Sequence, residues 1–430
     1  MKTVSFTTLG CKVNQYDSQA MLEQFEQHGY AAAKPGSAAD VYVVNTCTVT
    51  GTGDKKSMQI IRRCRRRNPQ AELIVTGCLA QRLGEELRET GARLILGNQY
   101  RAQVVELLEK AISEDTQIVA VENVEGVPYE PLSIHNHEGH TRAVMKIQEG
   151  CDNHCTYCII PSVRGTIRSR SIQAIREEAE ALAAAGFQEL VLTGIHLTSY
   201  GRDLEGRPSL ADAVKAACVD GVTRIRLGSL EPRVANDAFV EALRDMPQLC
   251  PQFHLALQSG SDSVLRRMKR GYNTTQFLAA AERIRKAWPN AAFTTDVIVG
   301  FPGETEEDFQ ASYDFAKEIG FAKIHAFPYS PKKGTPAAAR KDQLLNAVKA
   351  ERSHRLIELS DKMADDFIQG YVGKEVEVLY ERAIGEGVYE GHTTNYIKVK
   401  GTSDRDLTNV ICKTKITKAE NEELFGEAEA

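Results

Sequence analysis

The chain has no apolar run approaching the roughly 20 residues that a membrane helix needs, so it is expected to keep clear of the bilayer. Its first residues, Met1-Lys2-Thr3-Val4-Ser5-Phe6, lack the apolar region and cleavage site of a secretory signal, and a cytoplasmic location is expected. A basic excess is missing too: 53 Lys and Arg stand against 58 Asp and Glu, a formal net charge of −5. Any nucleic-acid role must therefore rest on local basic patches. There is no depletion of apolar residues, which excludes a disordered chain. At 430 residues the chain has room for two or three domains, each with its own core. Against these absences stand ten cysteines. In a chain of cytosolic character they argue for metal or redox work rather than a disulfide framework.

Three of them form one stretch, Gly150-Cys151-Asp152-Asn153-His154-Cys155-Thr156-Tyr157-Cys158, directly after an apolar run, Ala143 to Ile147. A buried cysteine behaves as a small hydrophobe and falls where a face needs filling. Three in a C-x3-C-x2-C loop among Asp, Asn, His and Thr follow no such pattern. Close thiolates suit an iron–sulfur cluster, or zinc with His154 as a fourth ligand. A cubane cluster normally takes four cysteines; with three, either the fourth ligand comes from elsewhere or one iron stays open to a small molecule.

Before this loop, residues 1–113 alternate strands (Val4 to Leu9, Val41 to Val44, Leu73 to Thr76, Leu94 to Leu96) with helical patterns, which predicts a parallel sheet of βα units. Cys11, Cys47 and Cys78 each follow one of the first three strands. The carboxyl ends of parallel strands share one edge, where ligands bind, so these thiols are expected to converge on a second metal cluster. Cys64, inside a helix with Arg62, Arg63, Arg65, Arg66 and Arg67 around it, is incidental. The arginine run is either a solvated face or a phosphate contact. Residues 114–139 show little periodicity and read as a linker whose histidines are solvated.

Residues 140–369 carry six strand-like runs separated by helical patterns: Ala143 to Ile147, Leu190 to Thr193, Thr223 to Leu227, Phe253 to Leu257, Thr294 to Val299 and Ala322 to Ala326. Six βα units predict an open partial barrel whose function gathers at the carboxyl ends of the strands. Gly194 and His196, Ser229 and Glu231, Gln258, Ser259 and Ser261, and Gly300 and Gly303 fall there. The serines and Gln258 suit a ribose or carboxylate, and Gly300 and Gly303 a close approach to a flat ring. Glu231 is a ligand contact or a turn residue, and His196 is weighted towards a structural histidine. Thr305 to Asp308 resembles a helix cap. Arg164, Arg168 and Arg170 are placed to hold a carboxylate or an RNA phosphate near the loop. Arg266, Arg267, Lys269 and Arg270 read as a solvated, possible RNA-facing, helix face. A long helix, Gln343 to Ile368, ends the barrel. From 370 to 430, short alternating runs punctuated by glycines predict a small antiparallel barrel, with Lys398 and Lys400 on one face, Lys413 and Lys415 on another, and a frayed acidic tail from Glu420.

The order of these features resembles the radical S-adenosylmethionine (SAM) methylthiotransferases over essentially the whole chain. Leu9-Gly10-Cys11-Lys12-Val13-Asn14, Asn45-Thr46-Cys47-Thr48-Val49-Thr50 and Leu192-Thr193-Gly194-Ile195-His196 are most similar to the MtaB-like branch. That branch modifies N6-threonylcarbamoyladenosine 3′ of the tRNA anticodon; the other branches modify isopentenyladenosine or a ribosomal-protein aspartate. One departure from radical SAM enzymes at large is Thr193-Gly194 where a Gly-Gly-Glu is usual. The resemblance implies an α/β chain with an N-terminal cluster domain, a partial (βα)6 radical SAM barrel and a TRAM-like RNA-binding barrel. It implies two [4Fe–4S] clusters, one on Cys151, Cys155 and Cys158 with SAM at its open iron, the other on Cys11, Cys47 and Cys78. SAM contacts are expected from Gly194, Ser229, Glu231, Gln258, Ser259, Gly300 and Arg164. The implied partners of a monomeric protein are the tRNA anticodon stem-loop and a flavodoxin- or ferredoxin-like electron donor. A non-catalytic iron–sulfur RNA-binding protein is the alternative from another class.

Overall fold

The computed structural model describes residues 1–34, 37–137 and 139–429. Glu138 of the expected linker and Ala430 of the expected tail lie outside them. Near the N-terminus, β1 (Thr3–Thr8), β2 (Ala31–Ala32), β3 (Val41–Thr46), β4 (Glu72–Gly77), β5 (Leu94–Leu96) and β6 (Ile118–Ala120) form one parallel sheet in the order β2-β1-β3-β4-β5-β6. Successive residues of a strand point to opposite faces. Val41, Val43 and Ile74 therefore enter one core, while Tyr42, Val44, Leu73 and Val75 enter another on the far side. Burial on both faces explains why these strands read as continuous apolar runs. Cys64 packs into the second core. β2 and β6 were not expected; at two and three residues they are too short to show a period.

The segment read as a linker is more than a connection. Besides β6, it sends Leu132 and Ile134 into the central core, and the Tyr129 hydroxyl donates to the Lys146 carbonyl at 2.8 Å. Its apolar residues are spaced as a strap across another domain's surface, a pattern neither helical nor alternating.

The central domain contains β7 (Arg142–Glu149), β8 (Arg168–Ser169), β9 (Glu189–Gly194), β10 (Arg224–Leu227), β11 (Gln252–His254), β12 (Ala292–Val299) and β13 (Lys323–Pro328). The ladders run β10-β9-β7-β8 and β11-β12-β13, and parallel bridges Ile225–Leu249 and Leu230–Leu255 join them. Apart from the antiparallel β8, this is an open arc of six parallel strands. β11 stops short of the expected Leu257 because the Thr295 hydroxyl accepts the Leu257 N–H at 3.0 Å and Gln258 turns to φ +66. At the open edge the Ile324 N–H of β13 donates to Ser360 Oγ at 2.9 Å, from the long helix Asn346–Gln369. That helix covers the edge strand.

The last five strands, β14 (Glu375–Gly385), β15 (Val388–Thr393), β16 (Lys398–Thr402), β17 (Val410–Glu420) and β18 (Glu423–Ala428), close a barrel in the order β14-β15-β16-β18-β17. All pairings are antiparallel except β16–β18. The tail expected to fray is β18: Leu424 is wholly buried, and the inward positions alternate behind the acidic residues. Lys398 pairs with Glu390 at 2.6 Å and Glu423 at 3.0 Å, Lys400 with Glu423 at 2.5 Å, and Lys413 with Glu375 at 2.8 Å. Among the described residues, no helix is long and apolar enough to cross a membrane.

His137, expected to be solvated, is 4% exposed, and its Nδ1 accepts the Val144 N–H at 3.2 Å. Burial, with His140 beside it, lowers its pKa from the ordinary 6.5 to about 4. A depressed imidazole pKa means the unfolded chain binds the proton more readily. The stabilisation is therefore present above pH 6.5 and is lost as pH falls towards 4. Between neutral pH and pH 4, wild type should lose about 3 kcal/mol more unfolding free energy than His137→Asn, measured by urea denaturation at both ends of that range.

Candidate active site

Strands β1, β3 and β4 are neighbours and parallel, so the residues after them share one edge. Cys11 caps the helix Lys12–Gln27, Cys47 follows β3, and Cys78 opens the helix Cys78–Leu83. Gly10, at φ +104, allows the close approach: a Cβ there would lie 3.1 Å from the Cys47 Cβ and 3.2 Å from its Sγ. The Thr46 hydroxyl accepts the Leu79 and Ala80 N–H groups at 3.2 and 3.3 Å and so holds the Cys78 turn against β3. Burial raises the pKa of Cys11 and Cys47, as does the neighbouring Cys78 thiol, while the Arg164 guanidinium lowers both. Arg164 Nε donates to Cys78 Sγ at 3.2 Å. A wholly buried guanidinium pointed at a sulfur fits ligands that are anionic when metal is bound.

The second trio sits in the loop after β7. Gly150 is at φ +71, and a Cβ there would come within 1.8 Å of the Thr166 carbonyl oxygen, so the returning chain packs directly on its backbone. The Cys151 N–H donates to the Gly165 carbonyl at 3.0 Å. Thr156 anchors the middle of the loop through its N–H to the Met268 carbonyl at 3.0 Å and its hydroxyl to the Arg267 carbonyl at 2.9 Å. Every sulfur receives an N–H: Cys151 from Asn153 at 3.4 Å, Cys158 from Ile160 at 3.4 Å, and Cys155 from Arg270 Nη1 at 3.0 Å. Burial, and then the crowding of the three sulfurs, pushes the Cys151 thiol up to about 12 and the Cys158 thiol up to about 11. A bound cationic core would convert such thiols to thiolates. Among the described residues no three His, Cys, Asp or Glu close on one point where a single metal ion fits. Zinc would need all four ligands within about 2.3 Å of one centre, and His154 is exposed. The donor set fits a multi-iron cluster, whose thiolates stand at separate corners.

Glu231 ties the surrounding loops together. Its Oε1 accepts Asn153 Nδ2 at 2.8 Å and Arg270 Nη2 at 2.6 Å; its Oε2 meets Arg233 Nη2 at 2.8 Å and His196 Nε2 at 3.3 Å. Burial opposes its ionisation, but these donors outweigh it and hold the carboxyl down to about 2. With its oxygens so occupied, Glu231 acts as a brace between the cysteine loop and the turns after β9 and β10, with His196 as part of that brace. Arg270 is the functional residue that sequence reasoning missed. It was read with the solvated basic run, but its side chain is 7% exposed. Lys269, at φ +56, turns the chain back, and Arg270 bonds inward to Cys155 and Glu231.

Gly194 and Ser229 line a cavity of about 620 Å³ that runs through the open barrel. Cys11 and Lys12 from the N-terminal domain and Asn395 and Tyr396 from the C-terminal barrel line it too. The Gln258 side chain has no hydrogen bond among the described residues. Other expected contacts are placed differently. Ser259 is wholly buried, with its Oγ 3.1 Å from Ser312 Oγ, because it braces the start of the helix Asp262–Arg267. At Gly300 a Cβ would meet Lys349 Cγ at 2.4 Å, so that glycine accommodates the last barrel helix. Thr305 is the cap of the helix Glu306–Ile319, with Asp308 completing a capping box. Arg164, Arg168 and Arg170 are 0%, 5% and 6% exposed and reach no open mouth. They bond inward because strand β8 returns between the domains: Arg168 to the Val124 carbonyl at 3.0 Å, Arg170 to Glu178 and the Tyr16 hydroxyl.

Arg164 belongs to a buried charge network that spans both trios. Its Nη1 donates to Glu149 at 2.5 Å and its Nη2 to Asn14 Oδ1 at 2.5 Å. Glu149 also meets Lys146 at 3.2 Å. Asp17 receives Lys146 and, at 2.6 Å, Arg101, which reaches Glu130 at 2.7 Å.

Residues 145–316 match the radical SAM superfamily, and residues 3–97 match the uncharacterized protein family UPF0004. The chain is 43% identical over 427 residues to the threonylcarbamoyladenosine tRNA methylthiotransferase MtaB of Bacillus subtilis, covering 97% of this chain and 94% of that one. It is 38% identical over 407 residues to the protein of the same name from Thermotoga maritima, with 94% and 92% covered. The tRNA-2-methylthio-N(6)-dimethylallyladenosine synthase of Methylacidiphilum infernorum is 34% identical over 421 residues, with 94% and 90% covered. Among solved structures, the radical SAM methyltransferase TsrM from Kitasatospora setae, with cobalamin and a [4Fe–4S] cluster bound, aligns at a TM-score of 0.57 and 16% identity, covering 78% of this chain and 77% of that one. That likeness is one of fold alone.

Replacing Arg164 by Met leaves Glu149 buried without its nearest cation. Such a loss should lower the unfolding free energy by about 3–5 kcal/mol, read as a drop in the guanidinium midpoint.

Proposed function

The chain belongs to the radical SAM tRNA methylthiotransferases, and from that premise we propose that it places a methylthio group on C2 of N6-threonylcarbamoyladenosine, 3′ of the tRNA anticodon. The observation that supports the proposal is one cavity lined by a cysteine of the first trio and by turns that Glu231 ties to the loop of the second. Cys11 of the N-terminal trio lines it from one side, and Gly194 and Ser229, from the turns braced to the second trio, line it from another. The 43% identity over 97% of the chain to a threonylcarbamoyladenosine enzyme, against 40% over 88% to a dimethylallyladenosine synthase, favours the substrate.

In this reading Cys151, Cys155 and Cys158 hold a [4Fe–4S] cluster, and Cys11, Cys47 and Cys78 hold a second. A cluster with one open iron, together with SAM, supplies one-electron chemistry on an aromatic C2–H bond that no side-chain base ionises usefully at neutral pH. The chain's own residues position and shield. Arg270 donates to Cys155 and fixes Glu231, so the loop geometry is set before any ligand arrives. Gly194, Ser229 and Gln258 are the residues assigned to SAM, the first two from the cavity wall and Gln258 with a side-chain amide that has no hydrogen bond among the described residues. Arg164 offsets the charge of the N-terminal sulfurs. The barrel-shaped lumen excludes bulk water from the reacting atoms. The target base must leave the anticodon loop stack to enter it. The C-terminal barrel acts as a TRAM-like RNA-binding module, and a cytoplasmic, monomeric enzyme draws electrons from a flavodoxin- or ferredoxin-like donor.

Two measurements test this. Cys151→Ala and Cys47→Ala should each lose about half of the reconstituted iron, and each should abolish the methylthio product. Mass spectrometry of tRNA nucleosides from a deletion strain should show the methylthio-threonylcarbamoyl nucleoside gone and its unmethylthiolated form in its place. Loss of a methylthio-isopentenyl nucleoside instead would assign the chain to the other substrate.

A further inference from the structure

Four long cationic side chains line the cavity: Lys12, Arg226, Lys323 and Lys398. Three are committed. Arg226 Nε donates to Glu189 at 2.9 Å and its Nη1 to the Thr394 carbonyl at 2.9 Å. Lys323 pairs with Asp361 at 3.0 Å and with Glu422. Lys398 pairs with Glu390 and Glu423 at 2.6 and 3.0 Å. Lys12 alone has no hydrogen bond or ion pair among the described residues. The nearby charges do not spare it a partner. Arg142, Arg224 and Arg226 are matched by Glu381, Glu377 and Glu189, at 3.2, 2.8 and 2.9 Å. Lys12 is the surplus cation of that wall.

Its place in the chain adds the second half of the argument. Lys12 follows Cys11, so its side chain starts beside the N-terminal sulfur site, which we take as the source of the methylthio group because the other cluster is given over to SAM. On a purine, C2 and C6 are separated by a single ring atom. A base with C2 turned to the Cys11 site therefore brings the substituent on N6 within reach of a neighbouring long side chain. In threonylcarbamoyladenosine that substituent ends in a carboxylate; in isopentenyladenosine it is a branched hydrocarbon.

We propose that Lys12 is a specificity-determining residue, whose ammonium pairs with the threonylcarbamoyl carboxylate of the target nucleoside. The inference rests on the substrate reading above and deepens it. A charge-assisted bond to the unpaired ammonium favours the acid. The same ammonium disfavours an apolar substituent, which would strip its water and return nothing.

The test uses the full reconstituted protein and three anticodon stem-loop RNAs, carrying threonylcarbamoyladenosine, its carboxamide or isopentenyladenosine. Affinity is measured at equilibrium without reductant, and KM and kcat with it. Wild type should bind the acid at least about tenfold more tightly than the carboxamide. Lys12→Met should erase that ratio with unchanged iron content, and Lys12→Arg should keep most of it. A Lys12→Met protein that retains the wild-type preference while wild type turns over the acid RNA overturns the role of Lys12 alone. So does a variant that loses iron and weakens on all three RNAs alike, because Lys12 then serves the sulfur site. Wild-type turnover of the isopentenyl RNA and not of the acid overturns the substrate reading itself, and the role of Lys12 with it.

Discussion

Charged groups buried without water are costly, and the junction between the N-terminal and central domains holds several. Asp17 and Arg101 come from the first domain and Lys146, Glu149 and Arg164 from the second, and each is at most 3% exposed along its side chain. Desolvation of such ions is offset only when every partner is in place and in good geometry. That requirement makes the junction a register device. A shift of one sheet against the other would leave several charges unpaired at once, so the relative position of the domains is narrowly set.

The register matters because both cysteine trios hang from it. Arg164 touches Cys78 on one side and Glu149 on the other, and Glu149 immediately precedes Gly150 and Cys151. Asn14, three residues beyond Cys11, takes the remaining guanidinium arm. One arginine thus sets the spacing between a sulfur site on one sheet edge and a sulfur site in the loop after β7. Arg224 and Arg226 reach Glu377 and the Thr394 carbonyl, so the small barrel is held to the central domain by the same kind of bond.

Much of this was legible from residue order. Three cysteines within eight residues are a local pattern, and a strand followed by Gly-Cys is another; neither depends on contacts distant in sequence. The six central strands were readable because each is long enough, or apolar enough, to carry a period. What misled was burial of polar groups. Arg164, Arg170 and Arg270 look like solvated or substrate-facing cations, and Glu420 to Glu429 looks like a loose tail. Charge in a sequence is normally a sign of exposure, and only a partner arriving from another segment reverses that: Glu149 for Arg164, Glu178 for Arg170, Glu231 for Arg270.

Residue order alone determined the chemistry available to the protein, because ligand type and ligand spacing along one strand end or one loop are local properties. It also determined the three-part architecture, since the period of each segment is written in its own residues. Tertiary structure decided which charges are neutralised and which single lysine is left over in the cavity. It decided that Ser259 packs against Ser312 and Gly300 against Lys349. Those outcomes depend on pairings between residues tens to hundreds of positions apart, and an electrostatic partner across such a distance leaves no trace in the spacing of either residue.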